Sequence, residues 1–206
     1  MKVLLINGSP NEKGCTYTAL SEVAKSLNKN GIDTEILHVG GDTVPGCLDC
    51  SVCDSTGMCV YDDIVNATAA RLSEFDAFVF GSPVYYAGPS GQLTSFLDRL
   101  YSTAGSKLRG KPGAAVVSCR RAGSTAALDR LNKYFTINCM PLVTSQYWNM
   151  VHGNTPDEVR RDAEGMQIMR TLGENMAWLM KCIEAGRSAG VPEPEYEPRV
   201  NTNFIR

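Results

Sequence analysis

Lys2-Val3-Leu4-Leu5-Ile6-Asn7, followed by Gly8-Ser9-Pro10-Asn11-Glu12-Lys13-Gly14-Cys15-Thr16-Tyr17-Thr18, is the stretch on which the fold turns. Its first half is a short, unbroken apolar run ended by glycine, the pattern of a strand buried on both faces of a parallel sheet. Its second half is a loop of small and hydroxyl residues. Beyond it Leu20, Val23, Ala24 and Leu27 repeat at helical spacing, and Asn30-Gly31 ends the stripe. Strand, glycine-rich loop and helix in that order offer backbone N–H groups and the positive end of a helix dipole to a phosphate. Two better-defined loops do not match. A P-loop needs Lys-Ser/Thr after its glycine, and Gly14 is followed by Cys15. A dinucleotide fingerprint needs G-x-G-x-x-G and an acidic residue after the second strand, where His38-Val39-Gly40 stands. A mononucleotide phosphate fits better than a triphosphate or a dinucleotide.

The same alternation continues along the chain. Thr34–Val39, Ala77–Phe80 and Ala114–Val117 read as strands, with a weaker one near Leu142–Ser145. Helical stripes fall at Leu93, Phe96, Leu97 and Leu100, and at Leu128, Leu131 and Phe135. A last helix begins at Thr155-Pro156-Asp157-Glu158, which carries a cap and an N-terminal proline, and continues through Met169, Leu172, Met176, Leu179, Met180 and Ile183 as core. Alternating strands and helices predict a parallel sheet covered on both faces. Residues 1–186 form this domain, with a cysteine-rich loop at 45–62. Residues 187–206, rich in Pro and Glu, read as an extended tail lying on a partner subunit.

With 206 residues, Lys+Arg 20 and Asp+Glu 22, the net charge is −2. No field of that size draws nucleic acid or an anionic membrane. No stretch reaches the roughly 18 apolar residues of a membrane span, and the opening apolar run is too short for a signal peptide. The reading is a soluble, cytoplasmic protein.

Eight cysteines are present, and Cys47, Cys50, Cys53 and Cys59 spell C-x2-C-x2-C-x5-C. Three thiolates at intervals of three on a tight loop can reach three corners of a cubane cluster, and Cys59 can close the fourth. Zinc and free or disulfide-forming thiols are the other readings. Cys119, Cys139 and Cys182 are scattered and read as ordinary buried residues. Asp62 or Asp63 caps the next helix.

Gly8-Ser9-Pro10, Gly14-Cys15-Thr16, Gly81-Ser82-Pro83-Val84-Tyr85-Tyr86 and Ser118-x-Arg120 together resemble the flavodoxin-like, NADPH-dependent FMN reductase superfamily. Within it the chain is most similar to the iron–sulfur flavoproteins, which carry a compact cysteine motif matched here at all four positions. The resemblance spans roughly residues 1–150. It implies an α/β, flavodoxin-like three-layer sandwich with a five-stranded parallel sheet in order 2-1-3-4-5 and FMN at its switch point. It implies that Ser9, Asn11, Gly14, Cys15 and Thr16 hold the phosphate. Pro83, Val84, Tyr85, Tyr86 and Gly88 then flank the isoalloxazine, and Ser118, Arg120, Arg121 and Gly123 border it. Cys15 stands where the family usually has Asn.

The expected function is an FMN-dependent oxidoreductase passing electrons through a [4Fe–4S] cluster on Cys47, Cys50, Cys53 and Cys59. Its donor would be NAD(P)H or a ferredoxin-like protein, its acceptor a small molecule or protein, and its assembly a homodimer or homotetramer. No catalytic side chain is required, because the chemistry belongs to the flavin. The alternatives are a cluster-free NAD(P)H-dependent FMN or quinone reductase, and a non-enzymatic redox-sensing module.

Overall fold

In a computed structural model, which describes residues 1–198, 200–202 and 204, the apolar runs become strands β1 (Lys2–Asn7), β2 (Asp33–His38), β3 (Ala77–Tyr85) and β5 (Gly113–Cys119). A two-residue β4 (Gly88–Pro89) and a three-residue β6 (Met150–His152) complete the set. The parallel order is β2-β1-β3-β5-β6, and β4 turns back antiparallel on β3. This is the expected five-stranded 2-1-3-4-5 arrangement plus a small hairpin arm.

Strand alternation divides the core into two layers. Leu4, Ile6, Phe78, Phe80, Ala115 and Val117 face helices α3 (Ile64–Arg71), α4 (Gly91–Ala104) and α5 (Ser124–Ile137). Val3, Leu5, Val79, Ala114 and Val116 face α1 (Cys15–Lys29) and α7 (Ala163–Ser188). Both faces of the central strands are buried, so their residues read as continuous apolar runs. The short α2 (Val52–Thr56) lies within the cysteine loop, and α6 (Pro156–Arg161) precedes α7.

Three details differ from the sequence reading. The last strand is Met150–His152. Leu142 makes only an isolated bridge to Gly113 before the chain loops outward. The last helix is two helices, broken at Asp162, whose carboxylate turns back to accept the Gly165 N–H at 2.9 Å and so caps α7. Cys119 is buried as expected, whereas Cys139 and Cys182 are exposed. The start of the tail folds onto its own chain: Val191 N–H donates to the Gly186 carbonyl, and the Arg109 guanidinium lies 4.8 Å from the Tyr196 ring. The tail's last few residues lie partly outside the described set. Among the described residues no helix is long and apolar enough to cross a membrane.

Candidate flavin and cysteine sites

Three loops meet at the carboxyl ends of β1, β3 and β5. Asn7, fully buried, shapes the first of them: its Oδ1 accepts from Ser9 N–H at 3.1 Å and its Nδ2 donates to the Glu12 carbonyl at 2.9 Å. Ser9 turns inward, its Oγ accepting from Asn11 N–H at 3.2 Å. Asn11 is exposed at the tip, and Gly14 N–H donates back to its carbonyl. Gly14 is then the N-cap of α1, and among the described residues no side chain caps this helix and no acidic residue occupies its first turn. The N–H groups of Cys15, Thr16 and Tyr17 therefore have no intrahelical acceptors and form the positive end of the helix dipole. That is an anion site built by the backbone.

Two side chains of this loop have partners within the protein. Thr16, 1% exposed, shares a 2.8 Å hydrogen bond with the Ser118 hydroxyl, locking the first loop to the third. The Cys15 thiol points to the Gly153 carbonyl, 3.7 Å away, and burial raises its pKa. What Cys15 offers a phosphate is its N–H alone.

The second and third loops interlock with the first. Gly8 N–H donates to the Gly81 carbonyl at 2.8 Å. Ser90 caps α4 and also donates its Oγ to the Gly8 carbonyl at 2.6 Å. Pro83 and Val84 are half-buried, and Tyr85 pairs with Gly88 across the β3–β4 hairpin. At the tip Tyr86 (φ 49°) and Ala87 (φ 60°) both adopt the left-handed region, and the Tyr86 ring is fully exposed. A hairpin turn with positive φ at both central residues normally takes Asn and Gly. Placing Tyr there costs backbone strain and presents a bare aromatic face. Gly123 has φ +85°, and a Cβ on it would stand 2.8 Å from Ala87 Cα, so the third loop closes on the second only through glycine. Arg120 and Arg121 are exposed beside it. Hydrogen bonds and close packing thus tie the three loops to one another. Sequence reasoning missed Asn7, Ser90, and His38, whose Nε2 lies 2.8 Å from the Ser9 carbonyl.

The four motif cysteines line a single cavity of about 90 Å3, together with Asp49, Tyr61, Arg99 and Thr103. The structure seats the cavity against the second half of α4. At 1.5 Å per residue, Arg99 and Thr103 lie about 12 and 18 Å along the helix from Gly91. Asp49 (φ 52°) and Ser51 (φ 57°) take left-handed conformations between the first three cysteines. Among the described residues no three His, Cys, Asp or Glu side chains converge on one point as a single-ion site would require. The four cysteines line a common space instead.

Cys59 is held differently from the other three. Asn66 grips its backbone on both sides, accepting from Cys59 N–H at 2.8 Å and donating to its carbonyl at 2.9 Å. Arg99, 1% exposed, donates its Nε–H to Cys59 Sγ at 3.1 Å. The guanidinium makes a bidentate pair with Asp63 at 2.7 and 2.9 Å, and Asp63 also caps α3. Burial would raise the Asp63 pKa, but the hydrogen bonds from Arg99 and Val65 N–H outweigh it and leave the carboxyl below its ordinary value. Burial, with Asp54 and the neighbouring Cys47 and Cys50 adding to it, raises the Cys53 pKa.

The donor set suits a thiolate-bound inorganic group, and one orphaned atom points the same way. Thr103 lines the cavity and its Oγ1 is buried without a hydrogen-bond partner among the described residues. Such a group seeks an acceptor.

A doubly wound sheet in this order, with loops meeting at its switch point, is the flavodoxin-like fold. Solved structures share it. A flavodoxin from the domain Archaea, 15% identical, covers 88% of this chain and 99% of its own at a TM-score of 0.60. An NAD(P)H:quinone oxidoreductase from Methanothermobacter marburgensis, 16% identical, covers 85% of this chain and 96% of its own at 0.65. The chain belongs to the NADPH-dependent FMN reductase family, whose profile matches residues 1–155. An iron-sulfur flavoprotein of Methanocaldococcus jannaschii is 31% identical over 192 residues, covering 89% of this chain and 100% of that protein. A second one from the same organism is 28% identical over 185 residues, covering 82% and 92%. Family membership implies FMN and oxidoreductase chemistry.

Proposed function

We propose that the chain is an FMN-dependent electron-transfer oxidoreductase that carries a [4Fe–4S] cluster on Cys47, Cys50, Cys53 and Cys59. The observation that carries the reading is that all four cysteines line one cavity whose wall supplies a buried guanidinium and a hydroxyl with no hydrogen-bond partner among the described residues. The name borne by the Methanocaldococcus relatives supports it.

When bound, FMN supplies hydride and single-electron chemistry and the cluster one-electron chemistry. The chain's own residues position and insulate these groups. The N–H groups of Cys15, Thr16 and Tyr17 bind the FMN phosphate, and the Thr16–Ser118 bond fixes the distance between the first and third loops. Pro83 and Val84 wall the ring, and Tyr85 and Tyr86 supply aromatic surface beside it. Arg120 and Arg121 offer positive charge to a reduced ring or to an incoming anionic donor. NAD(P)H and a ferredoxin-like protein both suit that surface. A homodimer or homotetramer in which one subunit's cysteine site faces another's flavin accounts for the separation along α4.

The test is anaerobic purification with flavin, iron and sulfide assays on wild type and Cys50→Ser. The expected result is about four irons per chain in wild type, with normal FMN and a lost or altered iron–sulfur signal in the variant. FMN without iron or sulfide in anaerobically reconstituted wild type refutes the cluster, leaving an NAD(P)H-dependent FMN or quinone reductase. An absence of turnover with NAD(P)H or reduced ferredoxin would point to the redox-sensing module.

A further inference from the structure

Arg99 is among the largest fully buried side chains of the protein and, among the described residues, the only buried arginine. A guanidinium has five N–H donors in a rigid plane. Here each has an acceptor: Nε–H to Cys59 Sγ, Nη1 to Asp63 Oδ2 and the Pro45 carbonyl, Nη2 to Asp63 Oδ1 and the Tyr61 carbonyl. Those acceptors come from both ends of the cysteine loop, Pro45 before its first cysteine and Cys59 to Asp63 at its close. The ring of Tyr61 lies 4.9 Å from the same guanidinium. By contrast Cys47 and Cys50 are exposed. A solvated surface arginine would use none of this geometry.

We propose that Arg99 is the positioning residue of the cysteine site: it holds Cys59 Sγ as a preformed anchor and raises the reduction potential of the group bound there. The proposal rests on the cluster reading above. Two physical effects carry it. Reduction adds one electron and no proton to a thiolate-bound site, so the added negative charge is stabilised by an N–H donor on sulfur and by a cation in a dry wall. Asp63 neutralises part of that cation, but its carboxylate lies on the Nη side while Nε–H faces the sulfur. Cys59 is also fixed before any ligand arrives, by Asn66 on its backbone and Arg99 on its side chain, so the more exposed remainder of the loop has one stationary thiol to close against.

The experiment compares wild type with Arg99→Lys, which keeps the charge and loses the planar fork, and with the Arg99→Met/Asp63→Asn double variant, which leaves no unpaired carboxylate. Each is reconstituted with iron and sulfide without oxygen, and FMN content verifies folding at the distant site. Reduction is followed by electron paramagnetic resonance during a dithionite titration, and cluster loss by the rate of iron release to a chelator. Both variants should keep FMN, bind iron, show a more negative midpoint potential, and release iron several-fold faster. The double variant should shift further than Arg99→Lys. A wild-type potential and release rate in iron-loaded Arg99→Lys and in the double variant would overturn the role of Arg99 and leave the cluster reading standing. Wild type that takes up no iron and sulfide would overturn both.

Discussion

Gly40→Ala isolates the packing that sets the phosphate loop. A Cβ at residue 40 would stand 2.2 Å from the Ser9 carbonyl oxygen, 2.3 Å from its carbon and 2.6 Å from the Gly8 carbonyl carbon. Ordinary carbon contacts lie at about 3.5–4.0 Å, so two backbone segments must part by roughly 1 Å. The Gly8–Ser9 segment cannot follow freely. It is pinned by Gly8 N–H to the Gly81 carbonyl, by the Ser90 hydroxyl to the Gly8 carbonyl, by Ser9 N–H to Asn7 Oδ1, and by His38 at the Ser9 carbonyl. Overpacking costs about 1–3 kcal/mol and one lost buried hydrogen bond about 1 kcal/mol, together roughly 2–4 kcal/mol. If half of that falls on the bound state, FMN affinity drops on the order of 10-fold. The assay is quenching of free FMN fluorescence on titration with apoprotein, with a thermal melt alongside. Gly186→Ala is the control: its Cβ would meet nothing nearer than 3.9 Å inside α7, and it should stabilise by about 1 kcal/mol without touching FMN binding. Wild-type FMN affinity and melting temperature in Gly40→Ala would refute the reasoning.

Two further outcomes follow from named groups. Tyr86→Gly relieves a left-handed backbone at a residue whose ring buries nothing, so the melting temperature should hold or rise by about 2 °C while FMN or acceptor binding weakens; a melting temperature several degrees lower would show that the ring packs. Hydrogen bonds from Arg71, opposed by burial and aided by Lys2, hold the Glu35 carboxyl down to about 2 from its ordinary 4.5. Because the folded value is the lower one, this stabilisation is complete above pH 4.5 and is lost as pH falls toward 2. Glu35→Gln should therefore cost roughly 1–2 kcal/mol at pH 7, discounted for partial exposure, with the gap to wild type closing between pH 4.5 and 2 in urea melts; a gap independent of pH in that window would refute the assignment.

Much of the sheet was legible because its central strands are buried on both faces, and double burial leaves unbroken apolar runs such as Val3–Ile6 and Ala114–Val117. The edge was not. Met150–His152 is too short to form a run, while Leu142-Val143 looks like a strand yet gives one bridge and then leaves the sheet. The break at Asp162 was hidden because alternating acidic and basic residues continue a polar helix face. What ends α6 is that Asp162 leaves the helical backbone to cap α7, and a Cβ at Gly165 would stand 2.3 Å from its Oδ2. The loop glycines and cysteines announced the two candidate sites by their spacing. The residues that hold those sites did not announce themselves: Asn7 is one polar residue at a strand end, and Arg99 reads as solvent-facing until its five acceptors are seen. Phe96, Arg99 and Thr103 do share one helical face at i, i+3 and i+7, and that register was the available signal.

That register also explains how one short helix serves two sites. The N-terminus of α4 is fixed to the phosphate loop through Ser90 and the Gly8 carbonyl, and its second half walls the cysteine cavity with Arg99 and Thr103. Phe96, Leu97 and Leu100 bury the intervening turns against the sheet. A displacement of α4 along its axis would therefore disturb the flavin rim and the cysteine wall together, whereas rotation about the axis is resisted by the pair between buried Arg99 and half-buried Asp63, which ties α4 to the cap of α3. The spacing between the two sites within a chain is thus set by the helix's rigid rise rather than by the cysteine loop, which is free to vary its intermediate residues as long as Pro45, Cys59 and Asp63 reach Arg99.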